Sequence, residues 1–132
     1  MISEIRKRDK LPNLRTYKSI PHKDFLGLMK IASILIGNSS SGIIDAPSFQ
    51  LMAVNIGTRQ KGRECGGNVI DVSYDKPEII RAVKKALYNK KFINRVRNSK
   101  NPYGDGHASE RIIKVLSTIK LDKRLLQKQI TY

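Results

Sequence analysis

Gly37-Asn38-Ser39-Ser40-Ser41-Gly42 sets three consecutive hydroxyls between two glycines, and Asp45 follows within one helical turn. The stretch comes straight after the apolar run Ile34-Leu35-Ile36. Between a buried strand and a helix start, such a turn aims backbone N–H groups and serine hydroxyls at one spot, beside the positive end of a helix dipole. That is phosphate-holding chemistry. A carboxylate at Asp45 repels phosphate and suits the hydroxyls of a sugar, so the pair points to a nucleotide or nucleotide-sugar site. Each feature has a plainer alternative. Serines cap helices by accepting backbone N–H groups, and an acid in the first turn gains about 0.3–1 kcal/mol from the dipole without any ligand. A second cluster, Arg59, Lys61 and Arg63 in Gly57-Thr58-Arg59-Gln60-Lys61-Gly62-Arg63, is cationic. Arginine engages a pyrophosphate through two parallel hydrogen bonds; the alternative is a solvated basic loop.

The elements that must position these residues read as strand and helix in alternation. Leu14–Ile20 reads as a short strand closed by Pro21. Phe25, Leu28, Met29 and Ala32 follow the i, i+3, i+4, i+7 spacing of an amphipathic helix from about His22. Ile34–Ile36, Met52–Ile56 and Val69–Val72 are short apolar runs of the kind buried on both faces of a parallel sheet. A helix is expected from about Gly42 to Phe49, and a polar, basic, glycine-bearing loop from Thr58 to Asn68. Asp75-Lys76-Pro77-Glu78 is a helix start with a cap, a first-turn proline and a capping-box glutamate; Ile79, Ile80, Val83 and Leu87 mark its buried stripe. After the turn cluster Asn101–Gly106, Ser109 opens a last helix with Ile112, Ile113, Leu116 and Ile119 inward. The alternation implies βαβ units, an α/β fold with a parallel sheet. In open sheets of this kind ligands bind beyond the carboxyl ends of the strands, where the loops Gly37–Gly42 and Gly57–Gly67 both fall.

Composition narrows the classes. The chain has 132 residues, 39% hydrophobic and 6% aromatic, which fits one domain with a modest core. It holds no apolar run of membrane-spanning length, and its start lacks the apolar core of a signal peptide. The single cysteine, Cys65, and the two histidines, His22 and His107, have no metal-ligand or nucleophile–base spacing. No metal and no cofactor is expected, and the location expected is the cytoplasm. The net charge of +15 favours a polyanionic partner. Lys76–Lys100 carries nine Lys or Arg against the one acid Glu78, and the tail from Lys120 adds more. With no interleaved aromatics, recognition helix or zinc pattern, nucleic acid is the weaker candidate and solvated helix faces the plainer one.

Gly37–Phe49 resembles the signature of UDP-N-acetylglucosamine 2-epimerases, in particular the hydrolysing type that makes N-acetylmannosamine for sialic-acid-like sugars. Asn55–Arg63 resembles the same family's second signature, and Asn68–Val72 and Tyr103-Gly104-Asp105-Gly106 follow in order, so the resemblance runs from about Leu11 to Ile119. It implies a Rossmann-like parallel sheet with flanking helices, most of the second domain of a glycosyltransferase-B-like fold. Residues 11–119 would be the UDP-binding half and 120–132 a basic tail. By the same resemblance Ser39 and Ser40 contact the diphosphate, Asp45 stands where the family has a glutamate on the ribose hydroxyls, Arg59 faces the phosphates, and Ile20, with Phe25 nearby, meets the uracil. Asp45 is one methylene short of that glutamate, about 1.5 Å of reach, and misplacement of that order costs roughly 10²-fold in catalysis. Gln50-Leu51-Met52 replaces the family's usual Gly-x-Pro.

In the family reaction a base removes the sugar's C2 proton, UDP leaves, and water adds to the glycal. The acids and bases for this lie mainly in the family's first domain, so the chain is expected to be a C-terminal fragment with no catalytic residue and no turnover alone. Its expected partners are UDP or UDP-N-acetylglucosamine and the N-terminal domain as a separate chain, with self-association into a homo-oligomer left open. A stand-alone UDP or UDP-sugar binder and a basic nucleic-acid-binding protein are the competing readings.

Overall fold

The computed structural model describes residues 13–126. Its centre is a three-stranded, all-parallel sheet in the order β1 (Ile34–Gly37), β2 (Met52–Ile56), β3 (Val69–Val72). The register pairs Ile34 with Met52 and Gly37 with Asn55, then Ala53 with Val69 and Ile56 with Val72. Because side chains alternate across a strand, β2 sends Met52, Val54 and Ile56 to one face and Ala53 to the other.

The first face is covered by α3 (Lys76–Tyr88) and α4 (Lys90–Arg97), whose Ala82, Ala86, Phe92 and Val96 join Val54 and Val72 in the larger core cluster. The second face is covered by α1 (His22–Ile31) and by the unit that links β1 to β2. Met29, Ala46 and Leu51 are its buried centre, with Phe25, Leu26, Leu35 and Phe49 packed around them. At Gly42 the linking unit comes so close to the sheet that an added Cβ would lie 3.4 Å from the Ala53 methyl and 3.6 Å from Leu35.

The link between β1 and β2 is not one helix from Gly42 to Phe49. It is a short α2 (Ser41–Ile44) and then a 3₁₀ turn (Ala46–Phe49). Pro47 is the cause: it has no N–H to donate to Ile43 and so stops the α-helical ladder. The bond from Asp45 N–H to the Ser41 carbonyl at 3.1 Å closes the short α-helix, and three-residue bonds from Ser48 N–H to Asp45 and from Gln50 N–H to Pro47 follow, the last shared with Ala46. Gln50 ends the turn in the left-handed region, φ 53° and ψ 28°.

Other expectations fail for identifiable reasons. Leu14–Ile20 forms no strand: only its two ends are partly shielded, the five residues between are exposed, and no ladder is made. The helix after Asp75 runs through Leu87 as expected, but a second, unexpected helix follows it: Asn89 closes α3 through its own N–H and caps α4 by accepting from Phe92 N–H at 2.9 Å. Ile80 is 44% exposed rather than part of the α3 stripe, its place taken by Ala82 and Ala86. His107 rather than Ser109 precedes the first turn of α5 (Ala108–Thr118), and a final turn, α6, spans Lys123–Leu126. Ile112, Ile113, Leu116 and Ile119 do not point inward; they are 57%, 66%, 68% and 40% exposed. Both faces of the sheet are already covered, so α5 finds no apolar surface among the described residues. The N-terminal end of the stretch 11–119 and the end of the tail 120–132 lie outside the described residues.

The Asp75 start behaves as its residues dictate. Asp75 accepts from Glu78 N–H at 3.0 Å, while the Glu78 carboxylate accepts from Ser73 N–H at 2.9 Å and from the Ser73 hydroxyl. Those bonds hold the Glu78 carboxyl below its ordinary pKa.

Candidate functional site

All three strands are parallel, so their carboxyl ends share one edge, and the loops after β1, β2 and β3 meet there. The turn after β1 runs through Asn38, Ser39 and Ser40. The Ser39 carbonyl accepts from Gly42 N–H, and the Ser40 carbonyl accepts from Ile43 and Ile44 N–H at 2.9 Å each. Ser39 Oγ accepts from Ser41 N–H at 3.3 Å. The amides of Ser39 and Ser40 and the Ser40 hydroxyl make no bond with the described residues, which leaves a small group of donors at the mouth of α2.

The β2–β3 link contains no helix. Its twelve residues, 57–68, are long enough to return the chain for a parallel pairing, and two buried amides hold it down. Gln60, 4% exposed, donates through Nε2 to the Asn38 carbonyl at 2.8 Å. Asn68, fully buried, donates through Nδ2 to the carbonyls of Gly42 at 3.1 Å and Leu51 at 3.0 Å. The serine turn and the arginine-bearing loop are therefore in direct contact. Arg59, Lys61 and Arg63 are exposed and pair with no carboxylate among the described residues. Their full positive charge stands in solvent at the same sheet edge.

Two clefts open there and share Asn55. One, about 180 Å³, lies against Gly37, Asn38, Ser39 and Gly42. The other, about 470 Å³, lies under Thr58, Gln60, Lys61 and Arg63, with Arg59 outside its lining, and reaches Asp71 and Tyr74, a size usual for small-molecule sites. Asn55 is buried and donates through Nδ2 to Asp71 Oδ1 at 2.7 Å, between cross-strand neighbours. Asn55, Gln60 and Asn68 had no role in the sequence reading. For Asn55 and Asn68 the signal was an amide inside or beside an apolar run, where a buried polar group needs a hydrogen-bond partner; Gln60, in a basic loop, gave none. Cys65 lines the larger cleft as a thiol: partial burial, and then the Asp71 charge, raise its pKa. That disfavours the thiolate a nucleophile needs.

The other candidates are spread further. Asp45, half-buried, sits at the junction of α2 and the 3₁₀ turn; its carboxylate accepts no hydrogen bond from the described residues, and it lines neither of these two clefts. Ile20 borders a separate cleft of about 410 Å³ with Tyr17, Asp24 and Leu28. Phe25 packs into the α1 core. Among the described residues no cluster of His, Cys, Asp or Glu could hold a metal ion, and no helix is long and apolar enough to cross a membrane.

The family model described as UDP-N-acetylglucosamine 2-epimerase matches residues 1–117. The chain belongs to this family. It is 39% identical over 121 residues to a UDP-N,N'-diacetylbacillosamine 2-epimerase (hydrolyzing) of Legionella pneumophila, covering 92% of this chain and 31% of the relative. It is 42% identical over 98 residues to polysialic acid biosynthesis protein P7 of Escherichia coli, covering 74% and 25%. The chain thus spans about a third or less of the length of these curated relatives. Among solved structures, the S. aureus MnaA–UDP co-structure superposes with a TM-score of 0.71 at 22% identity, over 88% of this chain and 32% of that one. UDP-GlcNAc 2-epimerase from Methanocaldococcus jannaschii superposes with a TM-score of 0.66 at 24% identity, over 87% and 31%. These likenesses establish the fold: this chain has the parallel sheet and flanking helices of one part of a glycosyltransferase-B-like architecture.

Proposed function

We propose that this chain is the UDP-binding C-terminal part of a hydrolysing UDP-N-acetylglucosamine 2-epimerase. In this reading the free amides of Ser39 and Ser40, the Ser40 hydroxyl and the Ser39 O–H bind the diphosphate, Arg59 neutralises it, Asp45 accepts from the ribose hydroxyls, and Ile20 borders the uracil with Phe25 behind it. The observation that carries the reading is the bond from Gln60 Nε2 to the Asn38 carbonyl, which joins the serine turn to the cationic loop at the carboxyl edge of a parallel sheet. A relative co-crystallised with UDP supports the nucleotide, and one named for polysialic acid biosynthesis supports the sialic-acid branch. The free Cys65 suits the reducing cytoplasm.

Abstraction of the C2 proton requires a positioned base. Asp45 is committed to the ribose, Asp71 in the adjoining cleft accepts from Asn55, and among the described residues no further carboxylate accompanies Asp45 at the serine turn. The chain alone therefore binds UDP without turning over the nucleotide sugar, and turnover requires the N-terminal domain as partner.

Titration with UDP followed by thermal denaturation tests this. A ligand at a hundred times its Kd adds about 2.7 kcal/mol to the folded state, so the melting point climbs with UDP concentration. Arg59→Ala removes a charge-assisted hydrogen bond worth about 1.5–3 kcal/mol and weakens UDP at least tenfold. A melting point indifferent to UDP, with salt-sensitive binding to random duplex DNA instead, refutes the proposal.

A further inference from the structure

The turn Asn101-Pro102-Tyr103 has no part in the chemistry above, yet its side chains reach both ligand-bearing segments. Asn101 Nδ2 donates to the Ile44 carbonyl at 2.9 Å and to Ser48 Oγ at 2.8 Å, contacts with residues 57 and 53 positions away in sequence. The Ile44 carbonyl belongs to the peptide group that leads into Asp45, so this bond fixes the plane from which the Asp45 side chain departs. Asn101 Oδ1 meanwhile accepts from Tyr103 N–H at 2.9 Å. Tyr103 then donates its hydroxyl to the Glu64 carbonyl at 2.9 Å, on the loop that carries Arg59. Between these two grips lies Gly66. A Cβ there would meet Pro102 at 3.5 Å and Pro47 at 3.6 Å, ordinary contacts, and crowd Asn68 Oδ1 at 3.0 Å, so the three segments close on one another around this glycine.

The residue types are the ones this geometry needs. Only a neutral amide donates to two oxygens on one side and accepts an N–H on the other, so aspartate at 101 would face the Ile44 carbonyl with like charge. A phenol carries its hydroxyl beyond the ring to a carbonyl that a serine would not reach.

We infer that Asn101 and Tyr103 form a positioning clasp for the nucleotide site, setting Asp45 and the Arg59 loop at a fixed separation. Neither residue touches the ligand; each acts through the segment it holds. The inference rests on the UDP reading for its ligand, but the clasp itself is open to a ligand-free test.

Tyr103→Phe removes one hydroxyl from a 44% exposed ring and so spares the core; Asn101→Asp is the second variant. Without ligand, amide hydrogen exchange should accelerate in residues 58–67 of Tyr103→Phe while β2 and α3 keep their protection. With UDP, affinity should fall threefold or more, and the same substitution made on Arg59→Ala should cost nothing further, because the clasp works through that arginine. Unchanged exchange in 58–67, faster exchange with unaltered UDP affinity, or an additive loss on Arg59→Ala would each overturn the clasp. If the unmodified chain binds no UDP, the functional proposal falls, and the exchange measurement alone decides whether the clasp exists.

Discussion

Gln50 is the one non-glycine residue with positive φ among the described residues, at φ 53° and ψ 28°. An L-residue in the left-handed region costs about 1–2 kcal/mol, because its Cβ crowds the following carbonyl. Glycine at this position removes that cost but loses about 0.5–1 kcal/mol through the greater freedom of its unfolded chain. Gln50 is exposed, and its N–H bonds to Ala46 and Pro47 at the end of the 3₁₀ turn are backbone bonds, so the substitution forfeits no packing and no hydrogen bond. Gln50→Gly should therefore stabilise the chain by about 0.5–1 kcal/mol, a rise of roughly 2–5 °C in melting temperature. Urea denaturation gives the free energy directly, with a higher midpoint at unchanged slope. Gln50→Ala keeps the Cβ and should stay within about 0.5 kcal/mol of the unmodified chain. Should Gln50→Gly prove no more stable than Gln50→Ala, the strain assigned to this turn is not there.

Gly57 has φ 81°, and a Cβ on it would run into the Tyr74 ring. Gly57→Ala should cost about 1–2 kcal/mol in urea denaturation, and Tyr74→Ala in the same chain should restore little, because the exposed ring can swing aside while the backbone cost stays. Asp45→Glu, which supplies the missing methylene, should tighten UDP roughly 2–10-fold, the worth of one better-placed hydrogen bond, and calorimetric titration reads it. The Asp105 carboxyl, held first by the Arg111 guanidinium and next by His107 N–H, is lowered from 3.8 to about 2. A depressed folded-state pKa stabilises fully above the unfolded value and is lost as pH falls through the folded one. The lead-in to α5 should thus hold above about pH 4 and loosen toward pH 2. In Arg111→Gln a carboxyl NMR titration should move Asp105 back up toward 3.8.

The sequence disclosed those parts of the fold that depend on local chemistry. Apolar runs flanked by Ser33, Gly57 and Asn68 became strands, and Asp75 with Glu78 began a helix where capping requires one. The resemblance carried the order of motifs and hence the family. Tertiary context was beyond reach. Leu14–Ile20 has strand-like content, but a strand exists only through its neighbour's ladder. The spacing of Ile112, Ile113, Leu116 and Ile119 shows that they share a helix face and says nothing of what that face meets. At the site, the serine turn and Arg59 loop were legible as separate pieces. Their shared sheet edge followed from the strand order, but the bonds that join them did not, because Gln60 reaches Asn38 across 22 residues and Asn101 reaches Ile44 across 57.

α5 has a consequence for how the molecule comes apart. It contributes no buried residue, and an eleven-residue helix without packing is marginal in water. Warming should unravel it while the strands and their covering helices stay intact. Far-ultraviolet ellipticity will then start to fall at a lower temperature than amide protection of Val54 and Val72 disappears, so a single melting temperature describes the sheet and not the whole polypeptide.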